Sequence, residues 1–404
     1  MKREATKGTA IGISLLGMNA YEVRVTAHAA PCSVNEASFT IHGLSDDAVR
    51  DTRIRIRSSL ALDYHRVSVD VEGVPRKGDT SSLDLAIAAA VLRAIRSASP
   101  VAADDETAFV GELSLSGDVR PVRGVLNMIE ETGDPIDVKM RGGPLRMIVP
   151  EGNRWEVSVS SRPGDVRTVR RMVDLMDPVT LCSVVPRDLS AVSAMSPRYP
   201  ELEMASLSGS HRRALDDARA AGRVLLVGRP GSGKTMLARH LSFGVVFDEA
   251  AAFREVACVY SAAGLIPSTG IARALPFRAP HHTVSEAGLV GGGDRPRPGE
   301  VSLAHRGVLF LDELPELRRN AVASLGEVLR AGVARFSRND AIVEFPASPR
   351  FVVAAANPCA CGYGGAARRC TCSPEALRSY EERLRAFAAL LGITKRVDVP
   401  EVIL

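Results

Sequence analysis

The run Gly228-Arg229-Pro230-Gly231-Ser232-Gly233-Lys234-Thr235 constrains this chain more than any other feature. It fits the G-x-x-x-x-G-K-[ST] spacing of a phosphate loop. A triphosphate crowds several negative charges together, and a tight turn of backbone N–H groups can wrap it only where no Cβ blocks the approach. Arg223-Val-Leu-Leu-Val227 before the loop reads as a short buried strand, and Met236 to Leu241 after it suits a helix whose first turn faces the phosphates. In such a site Lys234 reaches the β- and γ-phosphates of ATP and Thr235 places its hydroxyl on Mg²⁺.

A second run, Gly307-Val-Leu-Phe-Leu-Asp312-Glu313, is an uninterrupted apolar strand ending in two carboxylates. Asp312 is expected to hold Mg²⁺ through water, and Glu313 to polarise the attacking water. A third strand, Arg350 to Ala356, ends in the amide Asn357, placed to sense the γ-phosphate. Strands alternating with helices predict a parallel sheet covered on both faces.

Longer strings carry a family resemblance. Pro276-Phe-Arg-Ala-Pro-His-His282-Thr, Leu289-Val-Gly-Gly-Gly293, Arg297-Pro-Gly-Glu300, Leu309-Phe-Leu-Asp-Glu-Leu-Pro-Glu316 and Asn357-Pro-Cys-Ala-Cys-Gly362 resemble the magnesium-chelatase-like AAA+ ATPases, more closely their YifB/ComM branch. The resemblance makes Gly228–Thr235 a Walker A motif, Asp312 and Glu313 a Walker B motif, and Asn357 a sensor-1 residue. It implies ATP hydrolysis by a homo-oligomeric ring, usually a hexamer, with DNA branch migration as the work done by ComM-type members.

The resemblance extends to the amino-terminal half through Ile41-His-Gly-Leu-Ser-Asp-Asp-Ala-Val-Arg50 and Phe109-Val-Gly-Glu-Leu-Ser-Leu-Ser-Gly117. It implies a ribosomal-S5-like α/β domain of the Lon-protease type. Ser81 and Ser82 occupy the neighbourhood of the Lon serine, but no lysine follows Gly124 before Lys139. A serine without a base is a weak nucleophile, so this domain is expected to be structural or regulatory rather than proteolytic.

Composition fits a large intracellular protein of two or three domains, with 404 residues, 46% of them hydrophobic, and a net charge of only +4. No stretch is long enough to span a bilayer. Lys2, Arg3 and Lys7 ahead of an apolar run mimic an export signal, yet Glu22 and Arg24 interrupt it and an ATP site needs cytosolic nucleotide. A cytoplasmic location is expected. Local positive charge is more suggestive: Arg318, Arg319, Arg330, Arg335, Arg338 and Arg350 flank Gly332–Phe345, which reads as a hairpin with Asn339-Asp340 near its turn. A basic pore hairpin would follow a phosphate backbone without reading sequence, whereas a salt-bridged surface would not.

Of seven cysteines, Cys359, Cys361, Cys370 and Cys372 fall close together, with Arg368 and Arg369 between the pairs. They fit one structural Zn²⁺, reduced free thiols, or redox-active pairs. His281, His282 and His305 show no hydrolase spacing and are expected to shape a loop at a subunit contact or the pore.

The expected organisation is a Lon-like domain over 1–178, ending in a helical stretch Asp165–Met176, then a Pro-containing linker over 179–207. An ATPase core over 208–380 and a divergent segment over 381–404 follow. Family members continue with an Asp-Arg-containing segment and a helical lid that this sequence lacks. Arg396 is the residue that matches the family's arginine, which in a ring reaches the neighbouring γ-phosphate. Three functions compete: a DNA branch-migration motor, a chelatase-like protein-remodelling motor, and a hydrolysis-impaired nucleotide-dependent scaffold.

Overall fold

A computed structural model describes residues 5–60, 62–76, 78–96, 106–132, 145–187, 207–338, 341–364 and 370–400. The chain divides into two compact units. One comprises Met1–Ala191 with Tyr260–Ile271; the other comprises Val192–Val259 with Ala272–Leu404. Residues 260–271 thus cluster with the amino-terminal unit although they lie between nucleotide-site motifs in sequence. Most of the expected linker, residues 188–206, lies outside the described residues, as do Lys139, Asn339-Asp340 and Arg368-Arg369.

The first unit is built on an eight-stranded mixed sheet. Its centre is the antiparallel pair Thr6–Leu16 and Asn19–Pro31, in register from Thr6 opposite Ala29 to Leu16 opposite Asn19. Alternating buried residues Val23, Val25, Ala27 and Ala29 set the inward face of the second strand, as a period of two requires. The helix Asp84–Ile95 is buried almost all round and packs on this sheet. Asp84 at its start is itself buried. Its carboxylate is satisfied by Arg55 Nε at 2.6 Å, Thr52 Oγ1 at 2.9 Å and the Leu113 N–H at 3.1 Å.

Residues 165–176, expected to be helical, are not. Val166–Val169 forms a strand parallel to Arg146–Pro150, Asp165 ends the 3₁₀ turn Pro163–Asp165 before it, and Met172–Met176 coils as a second 3₁₀ turn after it. The β-branched Val166, Thr168 and Val169 lose χ1 freedom in a helix but are buried on the two faces of the sheet, Val166 and Thr168 on one and Val169 on the other. Ser82 donates to the Ile13 carbonyl at 2.7 Å and Ser81 to Asp79 Oδ1 at 2.8 Å. Both hydroxyls are therefore engaged, Ser82 with the backbone and Ser81 with a carboxylate.

The second unit contains a five-stranded sheet in the spatial order Phe277–Arg278, Val308–Leu311, Phe351–Ala356, Arg223–Val227, Lys395–Asp398. Every pairing in it is parallel. Val224, Leu226, Val308, Phe310, Val353 and Ala355 form its core with the apolar faces of flanking helices. The edge strand Lys395–Asp398 comes from within the segment 381–404, so the sheet continues past residue 380. The helix Arg319–Ala331 buries Ala321, Val322, Leu325 and Leu329, a single stripe at helical spacing. The helix Pro374–Leu390 starts on Ser373, whose hydroxyl accepts from the Ala376 N–H at 3.1 Å, with proline at its first position. Val333–Arg338 and Ala341–Pro346 pair as an antiparallel hairpin. Among the described residues no helix is long and apolar enough to cross a membrane.

Candidate nucleotide site

Three parallel strands deliver the three sequence motifs to one end of the sheet. Val227 lies opposite Ala356, and Leu311 opposite Ala354. Gly228, Asp312 and Asn357, each the next residue on its chain, therefore emerge together at the carboxyl ends of the strands, where open parallel sheets take their ligands.

The loop residues have separable reasons for being glycine. Gly231 and Gly233 hold φ of 79° and 86°, a region L side chains rarely adopt. Gly228 is a matter of space: a Cβ there would lie 2.5 Å from Ser232 Oγ and 2.8 Å from the Val399 carbonyl. Pro230 is exposed, and Arg229 accepts the Ser232 N–H on its carbonyl at 3.1 Å. The helix Lys234–His240 begins on Gly233, with Thr235 exposed in its first turn.

Lys234 Nζ donates to the carbonyls of Gly228 at 2.6 Å and Arg229 at 2.9 Å, and to Asn357 Oδ1 at 3.4 Å. All three acceptors are neutral. Burial lowers its pKa from 10.5, against the opposing pull of the Asp312 charge. Ser232 Oγ is buried without a hydrogen-bond partner. An ammonium held only by neutral oxygens, beside an orphaned hydroxyl and a loop of amides, fits a phosphate group well.

Glu313 follows Asp312 in a left-handed conformation, φ 49° and ψ 48°, and its N–H donates to Asp312 Oδ1 at 2.9 Å. Such a conformation is costly for a side-chain-bearing residue and is common where function imposes it. Glu313 Oε2 lies 2.8 Å from Nδ1 of His282. The ring of His282 packs on His281 with centroids 4.1 Å apart, and His281 Nδ1 meets Thr283 Oγ1 at 2.8 Å. The sequence assigned these histidines to shaping a loop; the structure puts His282 on the Glu313 carboxylate. What brings them together is the pairing of Phe277–Arg278 with Val308–Leu309, fixed further by Arg278 gripping Glu300 through two bonds of 2.6 and 2.7 Å.

Two more supports escaped the sequence. His211 is buried and bridges Ser208 Oγ, 2.7 Å from Nδ1, to the Ser232 carbonyl, 3.2 Å from Nε2, bracing the loop from behind. Tyr380 donates its hydroxyl to the Asn357 carbonyl at 3.0 Å. Neither has a local pattern that would reveal it, because each acts across a fold.

Arg396 sits on the edge strand, its Nη1 3.0 Å from Glu381 Oε1 and its Nε 3.3 Å from Asp398 Oδ1. Cys359, Cys361, Cys370 and Cys372 gather with their four sulfurs within 4.8 Å of one another, and all seven cysteines are free. In the hairpin, Arg335 is paired with Glu344 at 2.5 Å, and Arg350 lies over the Phe351 ring; Arg318 and Arg319 are exposed.

A parallel sheet carrying a phosphate loop, an acidic strand end and an amide at one edge defines an ATPase fold of the AAA+ class. Residues 204–401 match the family described as magnesium chelatase, subunit ChlI, and residues 30–151 match subunit ChlI of Mg-chelatase. The chain is 33% identical over 392 residues to YifB of Escherichia coli, covering 91% of this chain and 71% of that protein. It is 32% identical over 387 residues to the competence protein ComM of Haemophilus influenzae, covering 91% and 72%. An uncharacterized protein of Mycobacterium tuberculosis is 33% identical over 401 residues, covering 93% and 74%. The solved NtrX of Brucella abortus in complex with ADP aligns at 17% identity and a TM-score of 0.29, over 49% of this chain and 38% of that one. The chain belongs to the magnesium-chelatase-like YifB/ComM family of AAA+ ATPases.

Proposed function

We propose that this chain binds and hydrolyses ATP at the site formed by Gly228–Thr235, Asp312, Glu313 and Asn357, and that it works as a ring-forming motor on DNA. The observation that carries the ATP reading is Lys234, an ammonium held by neutral oxygens between the phosphate loop and Asn357. In this reading Gly228, Arg229, Pro230, Gly231, Ser232 and Gly233 wrap the phosphates and Lys234 exchanges its carbonyl partners for phosphate oxygens. Thr235 and Asp312 would hold Mg²⁺, which when bound neutralises charge on the transferring phosphoryl group. Glu313 orients and polarises the attacking water, with its carboxylate aimed by His282. Asn357 shares its amide oxygen with Lys234 and so is placed to register what that lysine holds. In a homo-oligomeric ring, of the hexameric kind, Arg396 would leave Glu381 and Asp398 for the neighbour's γ-phosphate.

DNA as the substrate is supported by the relative whose name assigns it to competence, and by the exposed Arg318 and Arg319 at the start of the helix that leads to the hairpin. ATP turnover and oligomer size, measured with and without four-way junction DNA against Lys234→Ala, test the proposal together. Turnover that rises on branched DNA and vanishes in the variant supports it. A variant that hydrolyses as fast as the parent removes the site assignment, and indifference to DNA removes the motor on DNA.

A further inference from the structure

Next to the phosphate loop lies a cluster that nucleotide hydrolysis does not use. Cys359 and Cys361 follow Asn357-Pro358 directly; Cys370 and Cys372 return just before the helix Pro374–Leu390. The sulfur separations are 3.3 Å for Cys359 to Cys361, 3.5 Å for Cys361 to Cys370 and 3.9 Å for Cys359 to Cys370. Four sulfurs bonded to one zinc at about 2.3 Å in a tetrahedron lie about 3.8 Å apart. These three separations bracket that of a closed metal site, and the Cys372 sulfur lies within 4.8 Å of the other three. The Gly364 N–H donates to the Cys359 sulfur at 3.1 Å, the type of outer bond that orients a thiolate ligand.

The cluster also touches both sides of the nucleotide site. Gly362 directly follows Cys361 and closes the turn on the Cys359 carbonyl at 3.0 Å; a Cβ there would lie 3.1 Å from Cδ of Pro230, so the end of the first cysteine turn rests on the phosphate loop. Cys359 is fully buried two residues beyond Asn357, whose carbonyl is held by Tyr380.

We propose that Cys359, Cys361, Cys370 and Cys372 bind one Zn²⁺, and that the metal clamps Gly362 on Pro230 and fixes Asn357, so that loading it strengthens nucleotide binding. The metal half stands on the cluster alone; the coupling half rests on the nucleotide reading above. Without metal, the segments carrying Cys359–Cys361 and Cys370–Cys372 lose their common anchor, and the support behind Pro230 loosens.

The test uses the full chain prepared with zinc and reductant. Metal analysis should give about one zinc per chain, falling below roughly 0.3 in the paired substitution Cys361→Ser, Cys372→Ser. Since serine could cost folding, the unsubstituted protein is also stripped with a chelator and reloaded with Co²⁺. The visible absorption of tetrahedral cobalt with thiolate charge transfer is then expected. Zinc far below one per chain together with no such spectrum overturns the site. Calorimetric titration with Mg-ATP follows on stripped and reloaded protein, with reloading expected to tighten binding about fivefold or more. Equal affinity in both forms overturns the coupling while leaving the zinc site standing. Absence of binding in both forms overturns the coupling together with the nucleotide reading, and the metal stoichiometry still decides the site.

Discussion

Nδ1 of His282 lies 2.8 Å from Oε2 of Glu313, while Glu313 itself is held in a left-handed backbone conformation at the end of its strand. One carboxylate oxygen is thus occupied and the torsion of the side chain is fixed. His282 is a positioning residue: it touches the group proposed to orient water. Glu313→Gln should lower ATP turnover about 100-fold or more. His282→Ala should lower kcat about tenfold and leave the Kd for Mg-ATP within about twofold, because the affected interaction matters at the chemical step. Parent-like kcat in the histidine variant, measured at saturating ATP, would show that the contact does not aim the glutamate.

Lys234→Ala should weaken nucleotide binding rather than merely slow turnover. Hydrogen bonds to charged groups contribute about 1.5–3 kcal/mol each, so Kd is expected to rise roughly 10- to 100-fold. Titration calorimetry reads this directly. Unchanged affinity would mean that the ammonium serves only the loop carbonyls it meets in this structure.

The amino-terminal unit carries its own acid-sensitive pair. Asp79 and Arg123 are both largely buried, with Arg123 Nε 2.6 Å from Asp79 Oδ2. Burial alone would raise the Asp79 carboxyl, but Arg123 and the hydroxyl and N–H of Ser81 outweigh it and hold the pKa below 3.8. The unfolded chain then binds a proton that the folded chain refuses. The pair's stabilisation is present above pH 3.8 and is lost as the pH falls from there through the folded value. Asp79→Asn should cost about 3 kcal/mol at neutral pH, since it leaves Arg123 buried and unpaired, and should flatten this acid limb. Denaturant titrations at neutral pH and below pH 3.8 check both points; an acid limb as steep as the parent's would assign it to other carboxylates.

Gly326→Ala should destabilise the second unit. A Cβ at that position would sit 2.2 Å from the Leu390 carbonyl, so the helix Arg319–Ala331 passes Pro374–Leu390 too closely for any side chain. Overpacking of this kind costs about 1–3 kcal/mol even though alanine is the better helix former. Thermal unfolding followed by circular dichroism should shift downward; an upward shift would show that the helices part freely.

The strands and loop of the candidate site were legible because each is written locally. Gly228–Thr235, the apolar run into Asp312-Glu313 and the strand into Asn357 need only neighbouring residues to be recognised. His282, His211 and Tyr380 were not, since each meets its partner only through strand pairing or helix packing distant in sequence. Residues 165–176 misled for a different reason. Their β-branched residues favour the sheet position beside Arg146–Pro150, and that neighbour is invisible to a local pattern. Local reading likewise kept Tyr260–Ile271 within the ATPase, whereas its contacts lie with the amino-terminal unit.

The strand that leads into the phosphate loop is sandwiched, Val224 pairing with Val353 on one side and with Lys395 on the other, and the Val399 N–H closes onto the Val227 carbonyl at 2.7 Å. Parallel pairings so remote along the chain require large loops to close before any contact rewards them, which slows folding. On the ribosome, one hydrogen-bonding edge of Arg223–Val227 therefore stays bare until Phe351–Ala356 has emerged, and the other until the segment through Val399 has followed. During that interval the loop Gly228–Thr235 has no finished sheet behind it, and the bare strand edge is the part of the chain most exposed to aggregation.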